Sequence, residues 1–208
     1  MEVFYEIPAL RRKIKEIRSK GITIGFVPTM GALHNGHLSL ISQSASENDL
    51  TICSIFVNPV QFNNSEDLKR YPRPLSKDIQ ILEDYQCDLL FCPDEKGMYP
   101  NEPQMSMNFG LLETVMEGKF RPGHFSGVGL VVAKLFNIIN PDVAYFGKKD
   151  LQQFAVILRM VNELNFDVRL RCCDTVREED GLAMSSRNLL LSEKDRKTAP
   201  DLYKVLSE

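Results

Sequence analysis

Positive charge is scarce in this chain. Its 208 residues carry 25 lysines and arginines against 28 acids, a net charge of −3. No overall field draws such a protein to nucleic acid or an anionic membrane, so phosphate chemistry, if present, must come from local cations. Long apolar runs are missing too, and none approaches the roughly 20 residues that span a bilayer. The N-terminus, MEVFYEIPAL, has early acids and lacks the basic-then-apolar order of a secretory signal. Cysteine is sparse and unpatterned: residues 53, 87, 92, 172 and 173 form an odd set without CxxC spacing. That set predicts free thiols in a reducing, cytoplasmic setting, with Cys53 buried in an apolar run. There is no internal repeat and no low-complexity linker.

What is present is an alternation of helical and apolar segments. Ile7, Leu10, Ile14 and Ile17 recur at helical spacing over residues 7–20, with Gly21 as a stop. The runs ITIGFV (22–27), LTICSIFV (50–57), DLLFC (88–92), DVAYFG (142–147) and VRLRCC (168–173) predict strands, and MSMNF (105–109) is a weaker candidate. Between them HLSLISQSASEN, SKDIQILEDYQ (76–86, Ser76 as N-cap), SGVGLVVAKLFNIIN (126–140) and DLQQFAVILRMVNELN (150–165) predict helices, and residues 192–208 look helical again. Several strands are apolar throughout rather than alternating. A parallel sheet with helices on both faces, an α/β Rossmann-like fold, predicts that pattern.

In open parallel sheets ligands bind beyond the carboxyl ends of the strands, so the loops there carry the functional reading. After the first predicted strand comes PTMGALHNGH, which places His34 and His37 at the first turn of the next helix. Free N–H groups and the helix dipole attract phosphate there, and two imidazoles can donate to phosphate oxygens. A plain helix-start loop with surface histidines has the same spacing. A metal site would need a third and fourth ligand, and only His124 remains, so no metal ligands are assigned. Lys148, Lys149 and Asp150 follow DVAYFG: either a phosphate-binding lysine beside a ribose-binding carboxylate, or a solvated charge run with Asp150 as N-cap. GLAMSSRN (181–188) joins two hydroxyls and a guanidinium, a group suited to triphosphate or simply a polar turn. Gln61 and Gln153 suit a hydroxyl-rich substrate, or are surface amides.

PTMGALHNGH, SIFVNPVQF, RPGHFSGV (121–128), AYFGKKDLQQ and TVREEDGLAMSSRN recur in order from about residue 22 to 191 and together resemble the pantoate–β-alanine ligase (pantothenate synthetase) family. HxGH alone marks a broad nucleotidyltransferase superfamily; the other segments are narrower. The resemblance implies ATP-dependent activation of pantoate as pantoyl adenylate with release of pyrophosphate, then attack by β-alanine to give pantothenate and AMP. It also implies Mg²⁺ held by phosphates and water rather than by a protein cage, and a homodimer. Met30, Gly31, Ala32, Leu33, His34, Asn35, Gly36 and His37 would line the ATP site, His37 being the family's usual proton donor. Gly147, Lys148, Lys149, Asp150 and Val176 would hold adenosine, with Lys149 on a phosphate. Met184, Ser185, Ser186 and Arg187 would close over the triphosphate. Gln61, Gln153 and Asn58 would bind pantoate, with Gln61 also near β-alanine. Arg121 and His124 lie in a loop near the site. His34, His37, Lys149 and Arg187 are thus the expected catalytic group.

Two residues depart from the family pattern. Lys148 replaces a glutamate and is given no catalytic role, and Asp174 replaces a proline. Residues 1–190 are expected to form the nucleotide- and pantoate-binding domain. Residues 191–208 read as the start of a truncated C-terminal region, with the lid largely absent, so that ATP binding persists while ligation is weak and AMP exceeds pantothenate. Another HxGH nucleotidyltransferase is the main alternative, although the lysine-rich second signature of tRNA synthetases is replaced by Ser185-Ser186-Arg187. A non-catalytic ATP-binding module is the other.

Overall fold

The computed structural model describes residues 1–208. Six strands form one parallel sheet in the order β1-β4-β3-β2-β5-β6, with β1 at Glu2–Phe4, β2 at Ile24–Thr29, β3 at Leu50–Ile55, β4 at Leu89–Phe91, β5 at Val143–Gly147 and β6 at Arg169–Cys173. The longer helices are α1 (Ile7–Ser19), α2 (Asn35–Glu47), α4 (Leu75–Asp84), α7 (His124–Ile139) and α8 (Leu151–Glu163). Shorter ones are α3 (Ser65–Arg70), α5 (Glu95–Met98), α6 (Met116–Phe120), α9 (Glu193–Thr198) and α10 (Asp201–Ser207).

The period-2 geometry of a strand divides the core in two. Ile24, Phe26, Ile52, Ala144 and Phe146 join the larger cluster with α1, α7 and α8. Their neighbours Val27, Cys53, Val143 and Tyr145 pack on the opposite face with α2 and α4. Both faces are therefore covered, which is why these strands are apolar throughout. α1 buries Leu10, Ile14 and Ile17, the spacing legible in the sequence, and Gly21 follows it at φ +72°. α7 is apolar nearly all round because it lies between the sheet and its neighbours, with twelve of its residues buried.

Four expectations change. MSMNF forms no strand: Met107 donates its N–H to Ser126 Oγ (3.0 Å), and Met107 and Phe109 lie against Gly129 of α7, where a Cβ would approach the Phe109 ring to 2.6 Å. The segment packs on a helix and pairs with no strand. Ser76 is not an N-cap, because α4 starts one residue earlier, at Leu75 after Pro74. The edge strand β1 was not foreseen; it is three residues long and pairs only with β4. The final helical stretch breaks into α9 and α10 at Ala199–Pro200.

Candidate active site

β2 is central, and the chain leaves it in opposite directions. It passes through α2 to β3 and later returns to β5 on the other side. That is the switch point where ligands enter doubly wound sheets. A cavity of about 340 Å³ lies there, lined by the ends of β2 and β5 and by the loops after β2, β3, β5 and β6.

The loop after β2 is held by hydrogen bonds to β3 and to its own backbone. Thr29 Oγ1 donates to Ser54 O (2.8 Å) and accepts from Gly31 N–H (3.1 Å). His34 is the N-cap of α2, and its Nδ1 accepts from Gly36 N–H at 3.1 Å. His37 Nδ1 faces His34 N–H at 3.4 Å, a long contact. The two rings stack with centroids 4.0 Å apart. With both Nδ1 atoms accepting, each neutral imidazole carries its proton on Nε2, leaving that N–H free to donate. Burial lowers both pKa values; for His37 the value falls to about 3, helped by the nearby charges of His34 and Lys149. The bare protein therefore holds both rings neutral at pH 7, as hydrogen-bond donors rather than cations.

The exit of β3 forms a 3₁₀ turn, Pro59–Gln61, and a polar network fixes it. Asn58 Nδ2 donates to Gln61 Oε1 (3.1 Å) and to Gly127 O (3.2 Å), while Tyr99 O–H donates to Asn58 Oδ1 (3.0 Å). His124, buried, donates from Nδ1 to Gln61 O (2.8 Å). The Gln61 amide Nε2 contacts Met30 Sδ at 3.2 Å. Gln61 is thus a buried, pre-oriented amide and not a surface one. Gln153, in the first turn of α8, lines the same cavity.

From the other half of the sheet come the cations. Lys149 lies in the turn after β5, its Nζ 3.2 Å from Asp150 Oδ1. Beyond β6, Ser185 Oγ accepts from Arg187 N–H (3.2 Å), and Ser186 Oγ meets Tyr71 O–H (3.2 Å). Arg187 Nη2 pairs with Asp67 Oδ2 at 2.9 Å and lies over the Tyr71 ring, 5.4 Å from its centroid.

Of the residues singled out in the sequence, Met30, His34, Gly36, His37, Asn58, Gln61, Arg121, His124, Gly147, Lys149, Asp150, Gln153, Val176 and Met184 through Arg187 meet around this one cavity. Five do not line it. Lys148 turns to Asp174 (3.6 Å), Asn35 is exposed, and Gly31, Ala32 and Leu33 form the back of the loop. Asp150 precedes α8 but caps no N–H with its side chain. The sequence reading missed Tyr71, Asp67 and Asp78. Asp78 had a signal: it falls four residues before the buried Leu82, so a charge occupies the apolar face of α4. No group of three or more histidine, cysteine, aspartate or glutamate side chains is placed to hold a metal ion.

Comparisons with known proteins bear on the family and the fold. The model of the pantoate-beta-alanine ligase family matches residues 2–208. Pantothenate synthetase of Cytophaga hutchinsonii is 52% identical over 201 residues, spanning 97% of this chain and 71% of the relative. That of Caldicellulosiruptor saccharolyticus is 53% identical over 207 residues, spanning 100% and 74%. The crystal structure of pantothenate synthetase from Thermus thermophilus superposes with a TM-score of 0.94 at 46% identity, covering 99% of this chain and 73% of that one. Pantoate-beta-alanine ligase from Francisella tularensis, complexed with beta-gamma ATP and beta-alanine, gives 0.96 at 43% identity, covering 100% and 80%. With half of its residues shared across its whole length, and the same fold, the chain belongs to the pantoate-beta-alanine ligase family.

Proposed function

We propose that the protein joins pantoate and β-alanine to form pantothenate at the expense of ATP. One observation carries this reading: the neutral amides Gln61 and Gln153 share a cavity with Lys149, Arg187 and two histidine N–H donors. Cations and N–H groups suit a triphosphate, and the two amides, Gln61 buried and Gln153 half-buried, suit the hydroxyls and carboxylate of pantoate. No side-chain nucleophile is required. A pantoate carboxylate oxygen attacks the α-phosphorus in line and pyrophosphate leaves. The β-alanine amine then attacks the acyl carbon of the pantoyl adenylate, losing a proton as AMP departs. His34 and His37 donate from Nε2 to phosphate oxygens on which charge builds, and Lys149 and Arg187 balance the leaving pyrophosphate.

Mg²⁺ fits this site without a protein cage. The nearby acids are separate and already engaged, Asp150 with Lys149 and Asp67 with Arg187. An ion carried by phosphate oxygens and waters meets those limits and would offset phosphate charge. The catalytic unit is residues 1–190, since every residue that lines the cavity falls within it, and residues 191–208 begin a C-terminal region that rests on it through Tyr203 over Arg177 and Arg196 with Asp180. No helix is long and apolar enough to cross a membrane. A cytoplasmic homodimer with small-molecule substrates, and no nucleic acid, completes the reading. The test is pyrophosphate release with pantoate against an analogue lacking its hydroxyls. A site built for those hydroxyls rejects the analogue by about 10⁴-fold; equal turnover overturns the assignment.

A further inference from the structure

Asp78 touches neither the main cavity nor any basic partner, yet its side chain is buried, with 1% exposure. It reaches from the first turn of α4 to the back of the β2–α2 loop. Its Oδ2 accepts from Ala32 N–H and its Oδ1 from Leu33 N–H, both at 2.8 Å. Those two amides follow an unusual backbone, with Gly31 at φ +78° and Ala32 at φ +51° in succession. L-residues rarely adopt that conformation, and here it turns two consecutive N–H groups to one side, forming a concavity that takes an anion. The carboxylate fills it from within the protein. The fit is close, since a Cβ at Gly31 would come within 3.0 Å of Oδ2.

A second cavity, of about 260 Å³, lies behind the same loop and is lined by Met30, Gly31, Phe56, Arg73 and Asp78, among others. The loop therefore runs between two cavities, with Gly31 seated against Ile55 and Asp78. Thr29 Oγ1 holds it at Gly31, and the pair of bonds from Asp78 holds it at Ala32 and Leu33. His34 follows Leu33 directly, and His37 stacks on His34.

We infer that Asp78 is a positioning residue: its buried carboxylate clamps Ala32 and Leu33 and thereby fixes where His34 and His37 present their Nε2–H groups. The catalytic consequence rests on the ligase reading above, whereas the clamp itself does not. Asp78→Asn keeps the shape but faces two N–H donors with one acceptor, so one amide is left unpaired.

With circular dichroism confirming a folded Asp78→Asn protein, kcat for pyrophosphate release should fall about 10²-fold, the scale of a displacement near 1 Å. KM for pantoate should change little, because Gln61 lies in the turn after β3 and Gln153 in α8. The imidazole ¹⁵N–¹H signals of His34 and His37 should shift or broaden while those of His124 stay fixed; with only three histidines in the chain, assignment is direct. Unchanged signals for His34 and His37 overturn the inference, whether or not kcat falls. Should the variant not fold, amide exchange in the intact wild-type protein decides: protected Ala32 and Leu33 amides support the clamp, and exchange at exposed-loop rates overturns it. Neither magnetic-resonance readout needs substrate. A failed ligase assignment would instead appear as wild-type protein that releases no pyrophosphate with pantoate.

Discussion

Gly127→Ala sets a new methyl group against the backbone of a neighbouring turn. Gly127 lies in the first turns of α7, against the 3₁₀ turn that carries Gln61. A Cβ there would stand 2.6 Å from Val60 O and 2.7 Å from Gln61 Cα. One side must retreat by about 0.4 Å to reach the 3.0 Å limit of real Cβ contacts, and by about 0.8 Å for ordinary contact at 3.4 Å. α7 cannot yield, because Val128, Val131 and Val132 lock it into the core. The turn moves instead, pulling on the His124 and Asn58 bonds that orient Gln61. Overpacking costs about 1–3 kcal/mol and the gain in helix propensity returns about 1 kcal/mol. The net loss is then about 0–2 kcal/mol, a fall in Tm of up to about 8 °C for a chain of this size. The functional loss should be larger: about 10²-fold in kcat/KM for pantoate, with KM for ATP held. Thermal denaturation and pyrophosphate release at varied pantoate measure both. A lowered Tm with unchanged kcat/KM for pantoate would show that the turn does not orient this substrate.

Three further outcomes follow from the same geometry. His37→Ala should keep the fold and lower the adenylation rate by about 10²–10³-fold, measured as pyrophosphate release; wild-type rates would make His37 a mere helix-start residue. Arg187→Lys keeps the charge but loses the planar fork and its place over Tyr71, so KM for ATP should rise about tenfold; an unchanged KM would mean that Arg187 stays with Asp67 throughout. The third concerns pH. The folded pKa of His37 lies near 3 and the unfolded value near 6.5. Between those values the unfolded chain binds more protons than the folded one, so stability is full above about pH 6.5 and declines as pH falls toward 3. Urea midpoints at pH 7 and pH 5 test this: the wild-type protein should lose more than His37→Gln, and equal losses would refute it.

The parts of the fold that the sequence disclosed are those where burial on both faces leaves one reading. ITIGFV, LTICSIFV and DVAYFG carry almost no polar residue, and all three are sheet strands. Glu2–Phe4 escaped because three residues on a sheet edge carry no periodicity. MSMNF misled because Met107 and Phe109 alternate as in a strand, yet bury themselves on α7. The site was legible wherever its residues follow a strand, as His34, Gln61 and Lys149 do. Tyr71, Asp67 and Asp78 were not, because their roles arise from partners 45 to 120 residues away. Asp78 in particular was hidden by the habit of reading an acid on an amphipathic helix as solvent-facing.

The unequal pairing of β2 has a mechanical consequence. With β3 it is in register at six positions, from Ile24 to Thr29, but with β5 at only two, Gly25 and Phe26. Past Phe26 the two strands pair no further along that seam, and β1 to β4 are tied to β5 and β6 by the two cores and by side chains, among them Tyr145 with Glu47 and Arg18 with Asp142. A nucleotide seated in the gap touches both leaves and acts as mortar between them. Its binding energy is then shared with the fold: at a hundredfold excess over Kd the linkage amounts to about 2.7 kcal/mol. Saturation should therefore slow amide exchange not only in the loops around the ligand but also in β4 and β6, the strands beyond each flank of the seam.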